Sequence, residues 1–294
     1  MNLAARLTRQ RARIEKRLDR LLPAARLEPA AIHRAMRYSV LGGGKRVRPI
    51  LCLEAAAAVG RPAAGSEDLA CALEFIHTYS LIHDDLPALD NDDLRRGRPT
   101  CHKKFGEALA ILAGDALLTL AFEVVGGMKR PAPRIKAQIV AELAAAAGTR
   151  DGMIGGQVAD LAAEGRRVTA RQLDYIHRSK TGALIRAAVR CGALHAGARG
   201  RMLAGLTRYG AKIGLAFQVV DDILDVRSST ARLGKAAHKD AAQHKATYPG
   251  VHGLGASEQA AAALVEEACA QLKPLGRRGQ PLCQLARYLL TRSS

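Results

Sequence analysis

The chain has 294 residues, of which 48% are hydrophobic and only 3% aromatic, and it carries a formal charge of +18 with a pI near 10.2. That length can bury a sizeable core, and an Ala, Leu, Ile and Val composition poor in aromatics argues against strands and for an all-α chain. The charge fits a nucleic acid, an acidic membrane surface or a polyphosphate substrate without choosing among them, whereas six scattered cysteines with no CxxC pair show no zinc-ligand spacing and point to a reducing, cytoplasmic compartment.

At the N-terminus Leu3, Leu7, Ile14, Leu18 and Leu21 recur at helical spacing between charges, which predicts an amphipathic first helix. Glu15 and Asp19 argue against a transit peptide, and no run of about 18 apolar residues is expected to offer a membrane span. Turn-forming stretches fall at 41–49 (LGGGKRVRP), 59–68, 95–100 (RRGRPT), 126–133 and 228–249, with helical periodicity between them. Ser66, Glu67 and Asp68 read as the cap and acidic first turn of a helix running through CALEFIHTYSLIHDD. Nothing reads as a linker or a repeat, so residues 1–294 are expected to form one helical domain.

Two acidic clusters carry the chemistry. In the first, Asp84 and Asp85 are followed by Asp90; a straight helix would set Asp90 about 120° round the axis from Asp84. Pro87 removes a backbone donor, so the chain is expected to curl and bring Asp90 back towards Asp84. In the second, Asp221 and Asp225 are one helical turn apart on one face, with Asp222 beside them, after the apolar run IGLAFQVV. Like charges on a largely apolar helix need a cation, and magnesium, which takes oxygen ligands from carboxylates, waters and phosphates, suits them. Either cluster alone could be a solvated helix end; the pair is harder to explain that way.

Cations accompany the acids. GGGKRVRP sets three glycines before Lys45, Arg46 and Arg48, a turn able to grip a diphosphate, although it is not a Walker A loop: Ser39 stands where the first glycine would be and Arg46 follows Lys45. Arg95, Arg96, His102, Lys103 and Lys104 adjoin the first cluster, Lys180 and Thr181 sit on a later helix, and Lys235, Lys239 and Lys245 lie in the late loop. His77 lies two turns before Asp84 on the same face.

The segments GGGKRVRP, IHTYSLIHDDLPALDNDDLRRGRPTCH, ILAGDALLTLAF, RSKTGALIRAAV, GLAFQVVDDILDV and LGK…KATYP together resemble the trans-isoprenyl diphosphate synthases, of the bacterial farnesyl type, over nearly the whole chain. The resemblance implies an isoprenoid synthase helical bundle with a central active-site cavity, working as a homodimer. It implies that Asp84, Asp90 and Asp221 bind three Mg2+ ions, supported by Asp85, Asp222 and Asp225. Lys45, Arg48, His77 and Arg96 would grip isopentenyl diphosphate, and Arg95, Lys180, Thr181, Gln218 and Lys235 the allylic diphosphate, dimethylallyl or geranyl. Tyr79 and Ser80, five and four residues before Asp84, would floor the tail pocket, with Tyr79 favouring the fifteen-carbon (2E,6E)-farnesyl product over geranyl or geranylgeranyl diphosphate.

The chain departs from that pattern at Asn91, His238 and His244, which affects the dynamics of the late loop more than the reaction class; Arg292 is a candidate closing contact. A terpene cyclase would not need the second cradle of Lys45, Arg48 and His77, and a noncatalytic subunit would not need intact acidic motifs. A nucleic-acid or membrane-surface protein has only the charge in its favour, so neither nucleic acid nor membrane insertion is expected.

Overall fold

The computed structural model describes residues 3–60, 64–232 and 246–291, and over them the architecture is helical, with one hairpin of two-residue strands. Two helices, α4 (Ser66–Asp84) and α10 (Ala183–His195), are buried on nearly every side. Leu69 to Ile76 presents no face suited to water, and the same holds for most of α10, so both must lie at the centre of the bundle.

Around them pack α3 (Val47–Val59), α6 (Glu107–Gly127) and the long α11 (Gly200–Arg232), α6 most extensively against α4, and α3 and α11 against α10. The first helix, α1 (Leu3–Leu21), is amphipathic as expected, burying Ile14 and Leu18. Its arginines also tie it down, through ion pairs of Arg6 with Glu54 on α3 and of Arg13 and Arg17 with Glu67 and Asp68 on α4. Three of the seven basic residues of this helix thus meet acids of other helices. Next come α2 (Ala30–Val40), against α4 and α6, and the short α5 (Cys101–Phe105).

The outer helices show local signals that the chain spells out. Pro133 opens α7 (Pro133–Ala147), where a missing amide costs nothing. After α8 (Met153–Ala163), α9 (Ala170–Ile176) begins with a capping box in which Gln172 N donates to Thr169 Oγ1 and Thr169 N to Gln172 Oε1. At the far end α12 (Tyr248–His252), α13 (Leu254–Gln271) and α14 (Gln280–Thr291) lie along α11, and the buried Tyr209 hydroxyl donates to the Leu282 carbonyl at 2.8 Å.

Three expectations change. Gly65 (φ 89°), not Ser66, occupies the cap position of α4, with Glu67 and Asp68 in its first turn. A membrane span was not expected, yet α6 is long and apolar enough to qualify, with a mean hydropathy of 2.0 over its best window. Alanines raise that value without making an unbroken aliphatic run, and core helices pass the same test; here α6 packs on α4. The stretch read as irregular from Ser228 is helical to Arg232, and α12 starts at Tyr248; Lys235, Lys239, Lys245, His238, His244 and Arg292 lie outside the described residues.

Candidate active site

The first acidic cluster curls as Pro87 suggests. Beyond the end of α4, Asp90 N donates to the Asp84 carbonyl at 2.8 Å, Asn91 N to that of Leu86 at 3.1 Å and Asp92 N to that of Asp85 at 3.2 Å. The excursion closes on itself and sets Asp90 beside Asp84. Asn91 takes a left-handed backbone (φ 50°), which asparagine tolerates better than most residues, and this gives its presence a local reason.

Burial pushes the Asp84 carboxyl up to about 6; Lys180 pulls it back and Asp90 pushes it further. A carboxylate so placed, with a second acid against it, calls for positive charge. Asp85 is differently engaged: it turns to Arg95, whose Nε and Nη2 reach its Oδ1 at 2.6 and 2.5 Å, with Asp92 3.7 Å from the same guanidinium. Burial raises the Asp85 carboxyl and this bond opposes the rise. Arg95 stands on a hairpin, β1 (Leu94–Arg95) with β2 (Arg98–Pro99), whose Arg96 and Gly97 both have positive φ, the turn that two-residue hairpins favour.

A second group is cationic. His77, on α4, is held well below the usual histidine range, first by burial and then by Arg48, Arg96, Arg95 and Arg46. Arg48 is itself drawn down to about 10 by burial, against the pull of Glu74 and Asp221. Its Nε is shielded from water and has no hydrogen-bond partner. A guanidinium left in that condition beside two further cations forms a cradle shaped for an anion. Arg96 donates to the Gly43 carbonyl, fixing hairpin to glycine turn. Because Asp221 acts on Arg48 and Arg48 on His77, the acidic turn of α11 adjoins the same neighbourhood as α4.

The three basic residues of GGGKRVRP face three ways. Arg46 (φ 52°) turns inward, donating to Glu74 at 2.6 Å, Glu15 at 2.8 Å and the Val40 carbonyl at 2.6 Å. Lys45 is exposed and lines a cavity of about 390 Å3 with residues of α1 and α14, among them Leu7, Arg11 and Tyr288. Of the three, Arg48 bears most strongly on His77 and Arg46 more weakly.

The Lys180 segment is a π-helix, His177–Gly182, joining α9 to α10. Wide turns of this kind cluster at functional sites because they turn successive side chains out of register. Lys180 Nζ donates to Asp160 Oδ2 on α8 at 2.6 Å while its charge bears on Asp84. The two helices meet closely: a Cβ at Gly156 would lie 2.2 Å from the Lys180 amide nitrogen. Thr181 Oγ1 donates to Gln218 Oε1 at 2.8 Å, and Gln218 Nε2 to Asp222 Oδ1 at 3.0 Å. Asp222 also accepts from the Tyr248 amide at 2.7 Å and lies 3.2 Å from His177 Nε2. It therefore anchors α12 and the π segment to α11. Asp225, one turn beyond Asp221, is exposed.

Tyr79 is buried against His83, ring centroids 5.8 Å apart at 77°, and its hydroxyl is buried without a partner. Burial and Asp84 push that phenol up to about 12. Ser80 donates back to the His77 carbonyl at 2.8 Å.

The donors suit magnesium: Asp84 at the end of α4, Asp90 in the turn after it, and Asp221 and Asp225 on α11 offer carboxylate oxygens. Among the described residues no three acids, histidines or cysteines gather tightly enough to enclose an ion unaided, so a ligand's own oxygens would complete the shell. Reading the sequence alone overlooks Asp160, His177, Glu74 and Tyr248. The buried acid of CALEF and the acid of GGQVADL were available signals, since an acid within an apolar helix requires a cation nearby.

The polyprenyl synthetase family model matches residues 29–274. The chain is 44% identical over 289 residues to farnesyl diphosphate synthase of Geobacillus stearothermophilus, covering 97% of this chain and 96% of that protein. It is likewise 44% identical over 295 residues to geranylgeranyl diphosphate synthase of Cyanophora paradoxa, covering 100% and 97%. Among solved structures, the apo FPP/GFPP synthase of Zymomonas mobilis matches with a TM-score of 0.88 at 36% identity, covering 98% of this chain and 99% of that one.

Proposed function

The chain belongs to the polyprenyl synthetase family and is a trans-prenyltransferase, and on that premise we propose that it condenses isopentenyl diphosphate with dimethylallyl and then geranyl diphosphate to give (2E,6E)-farnesyl diphosphate. The observation that carries the reading is the separation of two charge groups along α4: a cradle of Arg48, Arg96 and neutral His77 two turns below an acid pair, Asp84 and Asp90, that faces Lys180. Two diphosphates need two such places.

In this reading Arg48, Arg96 and His77, with Lys45 at the rim, hold isopentenyl diphosphate; His77, kept neutral by burial and then by the surrounding arginines, can donate one hydrogen bond without adding charge. Lys180, Arg95 and Lys235 hold the allylic diphosphate. Asp84, Asp90 and Asp221 would hold magnesium, three ions in all, with Asp225 beside them and Asp85 and Asp222 setting the positions of Arg95, Gln218 and α12. Magnesium, when bound, neutralises charge building on the leaving diphosphate. Thr181 and Gln218, bonded to each other, turn fixed dipoles towards the allylic cation, and the surrounding apolar helices exclude water that would quench it. The cation alkylates the isopentenyl double bond, and the departing diphosphate takes the proton then lost.

Tyr79, with Ser80 one residue nearer Asp84, closes the tail lane beneath the acid pair, which supports a fifteen-carbon product. The Cyanophora relative is named for the twenty-carbon one, and that length, with the ten-carbon one, is the alternative. We place the enzyme in the cytoplasm as one polyprenyl synthase domain over 1–294, a homodimer joined through α6, where Ile111 and Leu112 are 45% and 53% exposed. Incubation with magnesium, isopentenyl diphosphate and dimethylallyl diphosphate should yield farnesyl diphosphate by chromatography; no consumption of either precursor would refute the reaction, and a longer or shorter main product would refute the length.

A further inference from the structure

We propose that His83 governs product length without touching substrate, by holding the Tyr79 ring from a notch in α6. The inference rests on the reading of Tyr79 as the floor of the tail lane. His83 lies in the last turn of α4, one turn from Tyr79 on the same face. Its Nε2 is 3.0 Å from the Ile111 carbonyl on α6. A carbonyl only accepts, so Nε2 carries the proton, and the ring is pinned to the neighbouring helix.

The notch is Gly114. A Cβ at that position would stand 2.1 Å from His83 Nε2, so any larger residue would expel the imidazole from α6. Asp115 Oδ1, 3.9 Å from the same nitrogen, lies at the rim of the notch. On its other side the imidazole meets Tyr79 edge to face, at 5.8 Å and 77°.

The state of the Tyr79 hydroxyl makes this contact matter. That hydroxyl is buried and bonds to nothing, so no polar partner fixes the phenol. Its orientation depends on packing, and His83 is its one aromatic contact among the described residues. An edge-to-face contact biases orientation by a factor of about three to ten. Without the imidazole the phenol can lean towards α6 and deepen the lane.

The test compares His83→Ala, Tyr79→Ala and the double variant by the chain lengths each makes from isopentenyl and geranyl diphosphate. The expected result is a rise of about threefold to tenfold in the share of products longer than fifteen carbons for His83→Ala. Tyr79→Ala should rise further, and the double variant should match Tyr79→Ala, because a residue acting through Tyr79 has nothing left to act on. If Tyr79→Ala lengthens products and His83→Ala does not, this inference falls while the floor stands. If neither does, both fall. If the double variant exceeds Tyr79→Ala, His83 acts on its own and the inference falls. Should His83→Ala be inactive, Gly114→Ala displaces the imidazole from the α6 side; an unchanged product pattern in that variant overturns the proposal.

Discussion

The Asp90 amide donates to the Asp84 carbonyl across 2.8 Å, so the segment that leaves α4 past Pro87 folds back onto the helix end and brings the charge of Asp90 to bear on Asp84. Burial and this neighbour hold the Asp84 carboxyl near 6. A carboxyl raised in the folded state stabilises the fold below its unfolded pKa and loses that contribution as pH rises through about 6.

Asp84→Asn should therefore be more stable than the parent chain in metal-free buffer at pH 8, by on the order of 1–3 kcal/mol, with the difference shrinking as pH falls through about 6 and gone only below the unfolded pKa of about 4. Its activity should fall by roughly a hundredfold or more. Calorimetry in chelator across this range checks the first part; a variant less stable than the parent at pH 8 would contradict it.

Arg48 has a shielded, unpartnered Nε and two cationic neighbours. Arg48→Lys, which keeps the charge and removes the fork, should raise the KM for isopentenyl diphosphate about tenfold to a hundredfold and leave that for geranyl diphosphate nearly unchanged. Equal effects on both substrates would show that the two cradles are not separate.

Lys180 is held by Asp160 at 2.6 Å while bearing on Asp84. Asp160→Asn removes the charge that orients the amine and should raise the KM for the allylic substrate about tenfold, with smaller change for isopentenyl diphosphate. Steady-state kinetics with each substrate varied in turn decides it.

Gly156 lets α8 approach the π segment to within 2.2 Å of a would-be Cβ. Gly156→Ala should cut kcat by roughly a hundredfold by shifting Lys180 and Thr181 together, with helical content by circular dichroism unchanged. Retained turnover would mean that the segment tolerates displacement.

Leu112, 53% exposed on α6, is the surface apolar residue best suited to test assembly. Leu112→Asp should give monomers in sedimentation velocity if α6 joins two copies, while a parent chain that already sediments as a monomer would rule the interface out.

Much of this was legible in the residues. Asp221 and Asp225 at helical spacing, and Pro87 between Asp84 and Asp90, are local statements, and local geometry follows from local chemistry. What could not be read depends on contacts distant in the chain. Lys45, Arg46 and Arg48 look alike in sequence, yet Arg46 turns to Glu15 and Glu74, a choice made by helices that meet only on folding. The π geometry at Lys180 has no residue signature either, since it follows from how α8 and α11 clasp that stretch. The hairpin from Leu94 to Pro99 reads in sequence as a turn and not as strands, because its two-residue arms are too short for any alternation to register.

Arg46 carries a consequence of its own. The turn that offers Arg48 to a ligand is the same turn that, through Arg46, rivets α1 and α4 together. Filling the cradle with inorganic diphosphate relieves repulsion among neighbouring cations and braces that junction, so occupancy should register as a rise in melting temperature that grows with the logarithm of ligand concentration. Ligand capture and thermal resistance are in this way two readings of a single glycine-rich bend.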